Sequence, residues 1–422
     1  MGQVLPLSIN NYEKQNMLEI IPKKHKVHSL TGRITPTLMH EACKAVKRNK
    51  GAAGVDRVPV GKYHANREKN LSYLMERLKT RGRYKSPPLR RVYIPKGNTK
   101  VLRPLGIPTV DARVAQEVIR RLIEPIFETQ FHDNSFGFRP GRNCHQAVER
   151  VLQYIKDGNQ IVVDIDIKGF FDNIPHEVIM TMLRADIADG NILDIIESFL
   201  GSGLMEDGKL IPTTKGTPQG GVISPLLGNI ILNYSDWKLE QAGYKFARYA
   251  DDLVILCKTH EQAKNALAFV VEILADLGLE CSPEKTKISS YHEGFQFLGF
   301  NVSSRGVSIR EKSREKFEDK LKKITTRSHN LDAKVFEKLN QVIRGTVNYF
   351  HTKFSNVLYY FFKIDRLIRA RLRSMKYKSK SHLNNTRLKN KILAKRGLLS
   401  CRELCQHAIN SWCSQETAAK PG

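Results

Sequence analysis

Apolar positions change character along the first fifty residues. Residues 1–30 show weak periodicity and read as an extension, whereas TLMHEACKAVKRNK (37–50) repeats its apolar residues at helical spacing and closes at Gly51. GAAGVD (51–56) follows, too short and differently spaced for a Walker loop. Helical patterns recur at about 66–81, 111–128 and 143–156, the last entered from FGFRPGRN. RVYIPK (91–96) predicts a short strand running into a GNTK turn. The middle then becomes strand-rich. QIVVDIDI (160–167) is an apolar run with two embedded acids, and KFARYADDLVILCKT (245–259) is two β-patterned runs joined at residues 250–252, a predicted hairpin. GLECSPEKTKIS (278–289) and FQFLGFNVS (295–303) read as further short strands and turns, with helices at about 177–186, 190–200 and 260–276. After about 310 the pattern is helical throughout, and no internal repeat is visible. The expectation is an α+β fold with antiparallel strands and an all-helical C-terminal part.

Charge adds a partner to this picture. The 422 residues leave room for two or three domains, and 69 Lys+Arg against 42 Asp+Glu give a net charge of +27. Such a surplus argues against a default small-molecule enzyme and for a polyanion, most often nucleic acid. Residues 341–422 alone carry 17 Lys+Arg against 3 Asp+Glu. Within 366–396 the residues Leu367, Ile368, Leu372, Met375, Leu388, Ile392 and Leu393 recur near helical spacing, which favours basic amphipathic helices over a solvated tail. Few large aromatics follow Tyr377, so a phosphate backbone fits better than a membrane surface. No apolar run reaches the roughly 18 residues of a membrane span, and no signal-peptide pattern opens the chain. Seven scattered cysteines suit a reducing, cytoplasmic setting.

Four acids stand where apolar strands do not favour them. Alternation puts Asp164 and Asp166 on one face of their strand, with Val163, Ile165 and Ile167 on the other. Asp251 and Asp252 sit at the hairpin tip. Each pair alone has a plain reading: Asp164 as a salt-bridge partner, Asp-Asp as turn chemistry. Together, in a basic protein, acids on two strands point to a divalent-cation site, because a buried carboxylate must be paired or bind metal. Two carboxylates and substrate phosphates are the usual environment of Mg²⁺.

Tyr249-Ala250-Asp251-Asp252 resembles the Y-x-D-D signature of reverse transcriptases. VVDIDIKGFFDNIPH (162–176) resembles the first palm motif and KGTPQGGVISPLLGNIIL (215–232) the second. LRRVYIPKGNTKVLRPLGIPT (89–109) and NSFGFRPGRNCHQAV (134–148) resemble the fingers block of the bacterial group II intron lineage, and LNQVIRGTVNYF (339–350) its thumb, or maturase, domain. The resemblance implies a right-hand polymerase: an N-terminal extension (1–80), fingers (81–160), palm (161–305), thumb/maturase domain (306–378) and basic DNA-binding region (379–422). It implies that Asp166, Asp251 and Asp252 hold two Mg²⁺ ions, with Mn²⁺ a substitute, and that the Ile167 carbonyl joins them. Asp164 becomes a supporting residue. Phe171 matches the steric gate against a ribose 2′-hydroxyl. Gln219, Tyr249 and Ala250 match nucleotide-contacting positions. Lys96 and Arg103 match residues that hold the triphosphate, with Lys100 an alternative to either. Lys285 matches a palm lysine that acts at pyrophosphate, with Lys287 its rival. FLGF (297–300) resembles the primer grip.

Three departures qualify this. No His-Asn-His endonuclease or RNase H cluster is evident. Cys401, Cys405, His407 and Cys413 lack paired C-x-x-C spacing and read as buried thiols rather than zinc ligands. Gly228 stands where alanine would be more usual. The function implied is an RNA-directed DNA polymerase that takes dNTPs, an RNA template and a DNA primer, binds its own intron RNA to help it splice, and returns with it to DNA. The alternatives are a splicing cofactor with an idle polymerase, and a domesticated relative in repair or phage defence. Oligomeric state is open.

Overall fold

Several helices begin where the chain supplies a side-chain cap. In the computed structural model, which describes residues 20, 26–95, 102–217 and 220–408, α1 (Pro36–Asn49) begins on Thr35, whose side chain accepts from the Leu38 amide. Then come α2 (Val60–Ala65), α3 (Arg67–Lys79), β1 (Leu89–Pro95), β2 (Leu102–Ile107) and α4 (Val110–Glu128). α5 (Cys144–Lys156) opens with a capping box between Asn143 and Gln146. β3 (Ile161–Ile165), α6 (Phe170–Asn173), α7 (His176–Asp186), α8 (Gly190–Leu200), β4 (Leu204–Glu206) and β5 (Lys209–Ile211) follow. Next are α9 (Ser224–Gln241), β6 (Lys245–Tyr249), β7 (Asp252–Cys257), α10 (His260–Asp276) and β8 (Lys287–Ser290). The chain divides into two compact units, Met1–Ile288 and Ser289–Gly422.

The first unit is built on a sheet of order β6-β7-β3-β8. β3 pairs antiparallel with β7, and β7 with β6. Val162 and Val163 are both fully buried although they point to opposite faces, so both faces of the sheet are covered. This is why β3 and β7 read as continuous apolar runs. α10 packs on β3 and β7, and α5 on β6 and β7. A second sheet, β2-β1-β4-β5, carries one parallel pairing, β1 with β4, which the all-antiparallel expectation did not include. At the N-terminal side Asp189 caps α8 and also accepts from the amides of Leu30 and Thr31 at 2.9 and 2.7 Å. Burial opposes its charge, but these bonds hold its carboxyl below the usual value. The GAAGVD loop is held by Arg113, which donates to the carbonyls of Lys50 and Ala52, and by Arg90, which donates to that of Ala53.

Some elements departed from the sequence pattern for physical reasons. β2 was not predicted, because Pro104 and Gly106 interrupt its strand signal. β4 and β5 are three residues each, too short to show a period. α9 escaped because it is buried all round, from Leu226 to Asp236, and so has no polar stripe.

In the second unit β9 (Phe295–Phe297), β10 (Phe300–Ser303) and β11 (Gly306–Ile309) form a three-stranded meander. β9 and β10, grouped by sequence with the palm, lie in the second unit. α11 (Glu311–Ile324), α12 (Ala333–Phe350) and α13 (Leu358–Tyr377) pack together, followed by the short α14 (Asn384–Arg387) and α15 (Asn390–Lys395). The end of the chain folds back: Asp365 of α13 accepts from Ser400 Oγ and the amides of Cys401 and Arg402, capping the helix at 401–408. No helix among the described residues is long and apolar enough to cross a membrane.

Candidate active site

The β6–β7 hairpin turns in two residues, since Tyr249 pairs with Asp252. Asp252 therefore opens β7, and the turn is Ala250 and Asp251, one residue shorter than the predicted joint. So tight a turn needs a positive φ, and Ala250 supplies it at 57° without being glycine. A left-handed alanine costs roughly 1–2 kcal/mol, so something must hold it.

Arg248 does so. It is 1% exposed, and its guanidinium donates to the Ala250 carbonyl at 2.9 Å, Asn229 Oδ1 at 2.9 Å and Ser135 Oγ at 2.8 Å. It also forks onto both oxygens of Asp236, which is 0% exposed. Residues 134–136 run beside β6: the Arg248 amide donates to the Asn134 carbonyl, and the Phe136 amide to the Arg248 carbonyl, both at 2.9 Å. Gly137 then lies so close that a Cβ there would stand 2.4 Å from the Ala250 nitrogen. FAR and NSFGF were read as motif text; the structure shows that they form one brace behind the turn. Asp236 and Asn229 were missed. Their only signal was a buried acid and amide in an otherwise apolar run, and α9 had not been recognised as a helix.

The β3–β7 register sets Ile165 against Leu253, so Asp166, one residue beyond β3, stands level with Asp252 on the neighbouring strand. Asp164 sits opposite Val254, inside the strand pair. The Asp166 carbonyl accepts from the Ser282 amide at 2.8 Å, and Lys168 donates to the Glu280 carbonyl at 2.9 Å, which binds the segment after β3 to residues 280–282. Ile167 is buried there and bridges Cys281. That pairing brings in Lys285: its Nζ donates to Asp166 Oδ1 at 3.0 Å, and this bond raises its ammonium above the usual value. Lys287 begins β8 and is exposed. Among the described residues no three His, Cys, Asp or Glu side chains converge on a metal position.

The second motif is joined to the segment that follows β3. The Thr217 amide donates to the Phe171 carbonyl at 2.6 Å and the Gly216 amide to that of Ile174 at 2.7 Å. Gly216 has φ 86°, and a Cβ would stand 2.7 Å from the Asp172 carbonyl oxygen. Phe171 is half-buried, its ring 5.0 Å from that of the buried Phe170.

The family described as "Reverse transcriptase (RNA-dependent DNA polymerase)" matches residues 94–302, and that described as "Group II intron, maturase-specific domain" matches 314–397. Protein YkfC of Escherichia coli (strain K12) is 32% identical over 321 residues, 66% of this chain and 82% of its own. The chain belongs to the group II intron reverse transcriptase/maturase family. The group II intron-encoded protein LtrA of Lactococcus lactis subsp. cremoris is 40% identical over 187 residues, 44% of this chain but only 31% of that protein. A structure of telomerase from Candida albicans with a fragment of telomeric RNA aligns over 82% of this chain and 68% of its own, at 14% identity and TM-score 0.44.

For a reverse transcriptase of this family, the implied residues fall in separate places. Asp166, Asp252, Lys285, Tyr249, Ala250 and Asp251 are brought together by the palm sheet and residues 280–286. Phe171 lies beside the second motif. Arg103 lies in β2 opposite Ile94. Lys96, Lys100, Gln219 and Cys413 lie outside the described residues. Cys401 and Cys405 are buried, and burial raises both thiols, Cys405 to about 12. The FLGF segment forms a second tight turn, Leu298–Gly299, between β9 and β10.

Proposed function

We propose that this chain copies intron RNA into DNA by extending a primer with dNTPs, and that its second unit holds the intron RNA. The observation that carries the first part is the hairpin turn: Arg248 fixes Ala250, and the same strand pairing sets Asp252 level with Asp166. Asp166, Asp251 and Asp252 offer oxygen donors only, the set that Mg²⁺ prefers, and the Lys285 ammonium on Asp166 marks a place that favours a cation. These residues would hold two Mg²⁺ ions, which lower the pKa of the primer 3′-hydroxyl and neutralise the leaving pyrophosphate. The primer oxygen attacks the α-phosphorus, the α–β bond breaks, and the hydroxyl proton passes to solvent. Lys285 stays protonated and stands ready to give a proton or charge to pyrophosphate. Phe171 excludes a 2′-hydroxyl.

The second part is supported by charge and by a cleft. Residues 289–422 carry 28 Lys+Arg against 10 Asp+Glu. A cleft of about 800 Å³ there is lined by Arg327, Arg371, Arg373, Lys380 and His382 and by no carboxylate. Arg373 is 9% exposed and donates to the Leu388 carbonyl and Asn390 Oδ1, neutral acceptors that leave its charge uncompensated. A phosphate would supply that compensation. Splicing assistance, return to DNA and a cytoplasmic setting belong to the same reading.

Primer extension on an RNA template tests it. Asp251→Ala/Asp252→Ala should abolish extension and leave RNA binding intact, with an affinity that falls steeply with salt. Extension at the wild-type rate by that variant would remove the site assignment. A flat salt response would remove the RNA-holding role of the second unit.

A further inference from the structure

Gly228 lies in the interior of α9, where glycine is disfavoured relative to alanine. A methyl group at this position would stand 3.0 Å from Cε1 of Phe170 and 3.1 Å from Cε1 of Phe171. Carbon atoms pack at about 3.5–4.0 Å, so one neighbour would have to move. The helix cannot yield easily: Leu227 is fully buried, and Asn229 Nδ2 donates to the Gly137 carbonyl at 2.8 Å while its Oδ1 accepts from Arg248. Phe170 cannot yield either, being 2% exposed within the core. Phe171 differs. Its backbone is held by Thr217, but its half-buried ring has an open side.

We propose that Gly228 sets how far the Phe171 ring projects into the sugar site, so that this chain carries a recessed gate. The inference rests on the reading of Phe171 as that gate. With glycine behind it the ring lies back against α9. A side chain at 228 pushes it outward, toward the sugar. Gly228 acts only through Phe171 and is a positioning residue.

The test is single-nucleotide incorporation on an RNA template, comparing dNTP with rNTP, in the full chain and its Gly228→Ala, Phe171→Ala and doubly substituted forms. Gly228→Ala should raise KM for dNTP by up to about tenfold with kcat little changed. It should depress rNTP use further, so discrimination rises. Phe171→Ala should lower discrimination, and adding Gly228→Ala to it should then change nothing, because no ring remains to be pushed. If Phe171→Ala weakens discrimination but Gly228→Ala leaves it unchanged, the proposal is overturned and the gate reading survives. If Phe171→Ala leaves discrimination unchanged, the gate reading fails first. A Gly228→Ala effect that persists without the ring shows a general disturbance of the fold and overturns the proposal too. Should Gly228→Ala lose its melting transition, Phe170→Leu carries the test. It gives the ring room to fall back and should lower discrimination; no change there overturns the proposal.

Discussion

Two hairpins, one in each unit, solve the same backbone problem with different materials. Both turn in two residues, and both place a non-glycine residue at left-handed φ: Ala250 at 57° and Leu298 at 47°. Behind Ala250 stands a buried charge network, with Arg248 joined to Asp236, Asn229, Ser135 and the turn's own carbonyl. Behind Leu298 stand aromatic rings. Tyr349 donates to its carbonyl at 2.9 Å, and Phe300 stacks on Tyr349 at 5.9 Å and meets Phe350 and Phe354 edge-on. Hydrogen bonds to an arginine fork are directional and hold in one geometry. Ring packing is less directional and tolerates sliding. The difference suits the task proposed for the first turn, whose carboxylates must position reacting atoms.

The comparison breaks most easily at Arg248. Arg248→Met leaves Asp236 charged and unpaired in the core, and breaking a buried pair in this way costs about 3–5 kcal/mol. Chemical denaturation should register that loss, and primer extension should fall with it. Arg248→Met/Asp236→Leu should recover much of the stability but not the extension, because the Ala250 carbonyl stays unheld. Equal recovery of both would mean that the brace has no role in aligning the turn. At the other hairpin Tyr349→Phe removes one hydrogen bond and keeps the rings. A loss of about 0.5–1.5 kcal/mol is expected in the second unit's unfolding, and a loss several-fold larger would show that this turn too is held chiefly by polar contact.

Acidity also bears on the first hairpin's surroundings. His132 packs between Trp237 and Phe246, and its Nδ1 accepts from the Asn134 amide, in the segment that braces β6. Burial holds its imidazole below the usual value near 6.5. The unfolded chain therefore takes up a proton first as pH falls through 6.5, and stability declines below that point. His132→Phe should flatten the decline between pH 6.5 and 5 in melting experiments; an unchanged slope would assign it to other groups. The smallest effect is at the turn itself. Ala250→Gly relieves about 1–2 kcal/mol of backbone strain but returns about 0.5–1 kcal/mol of chain entropy, leaving a gain below about 1.5 kcal/mol. A loss of stability instead would show that the Ala250 methyl packs usefully against its surroundings.

Much of the candidate site was legible in sequence because its signals are local. Asp251 and Asp252 interrupt an apolar hairpin, and Asp166 ends an apolar strand. What was not legible depends on pairing across distance. Arg248 reads as motif flank until Asp236, twelve residues earlier, is seen to be buried with it. The position of Lys285 follows from residues 280–282 pairing with the stretch after β3, a contact spanning more than a hundred residues. Most of the fold was readable where helices carry a polar stripe; α9 carries none, and it holds Gly228, Asn229 and Asp236.

The double duty of Asp189 decides where this protein can be trimmed. One carboxylate starts α8 and ties down Leu30 and Thr31, while the Val27 amide donates to the Asp186 carbonyl at 2.8 Å. Shortening the chain to the start of α1 would therefore free a carboxylate inside the first unit and unstitch α7 from the strand-like segment beside it. Any useful cut therefore leaves Val27, Leu30 and Thr31 in place, although α1 begins only at Pro36.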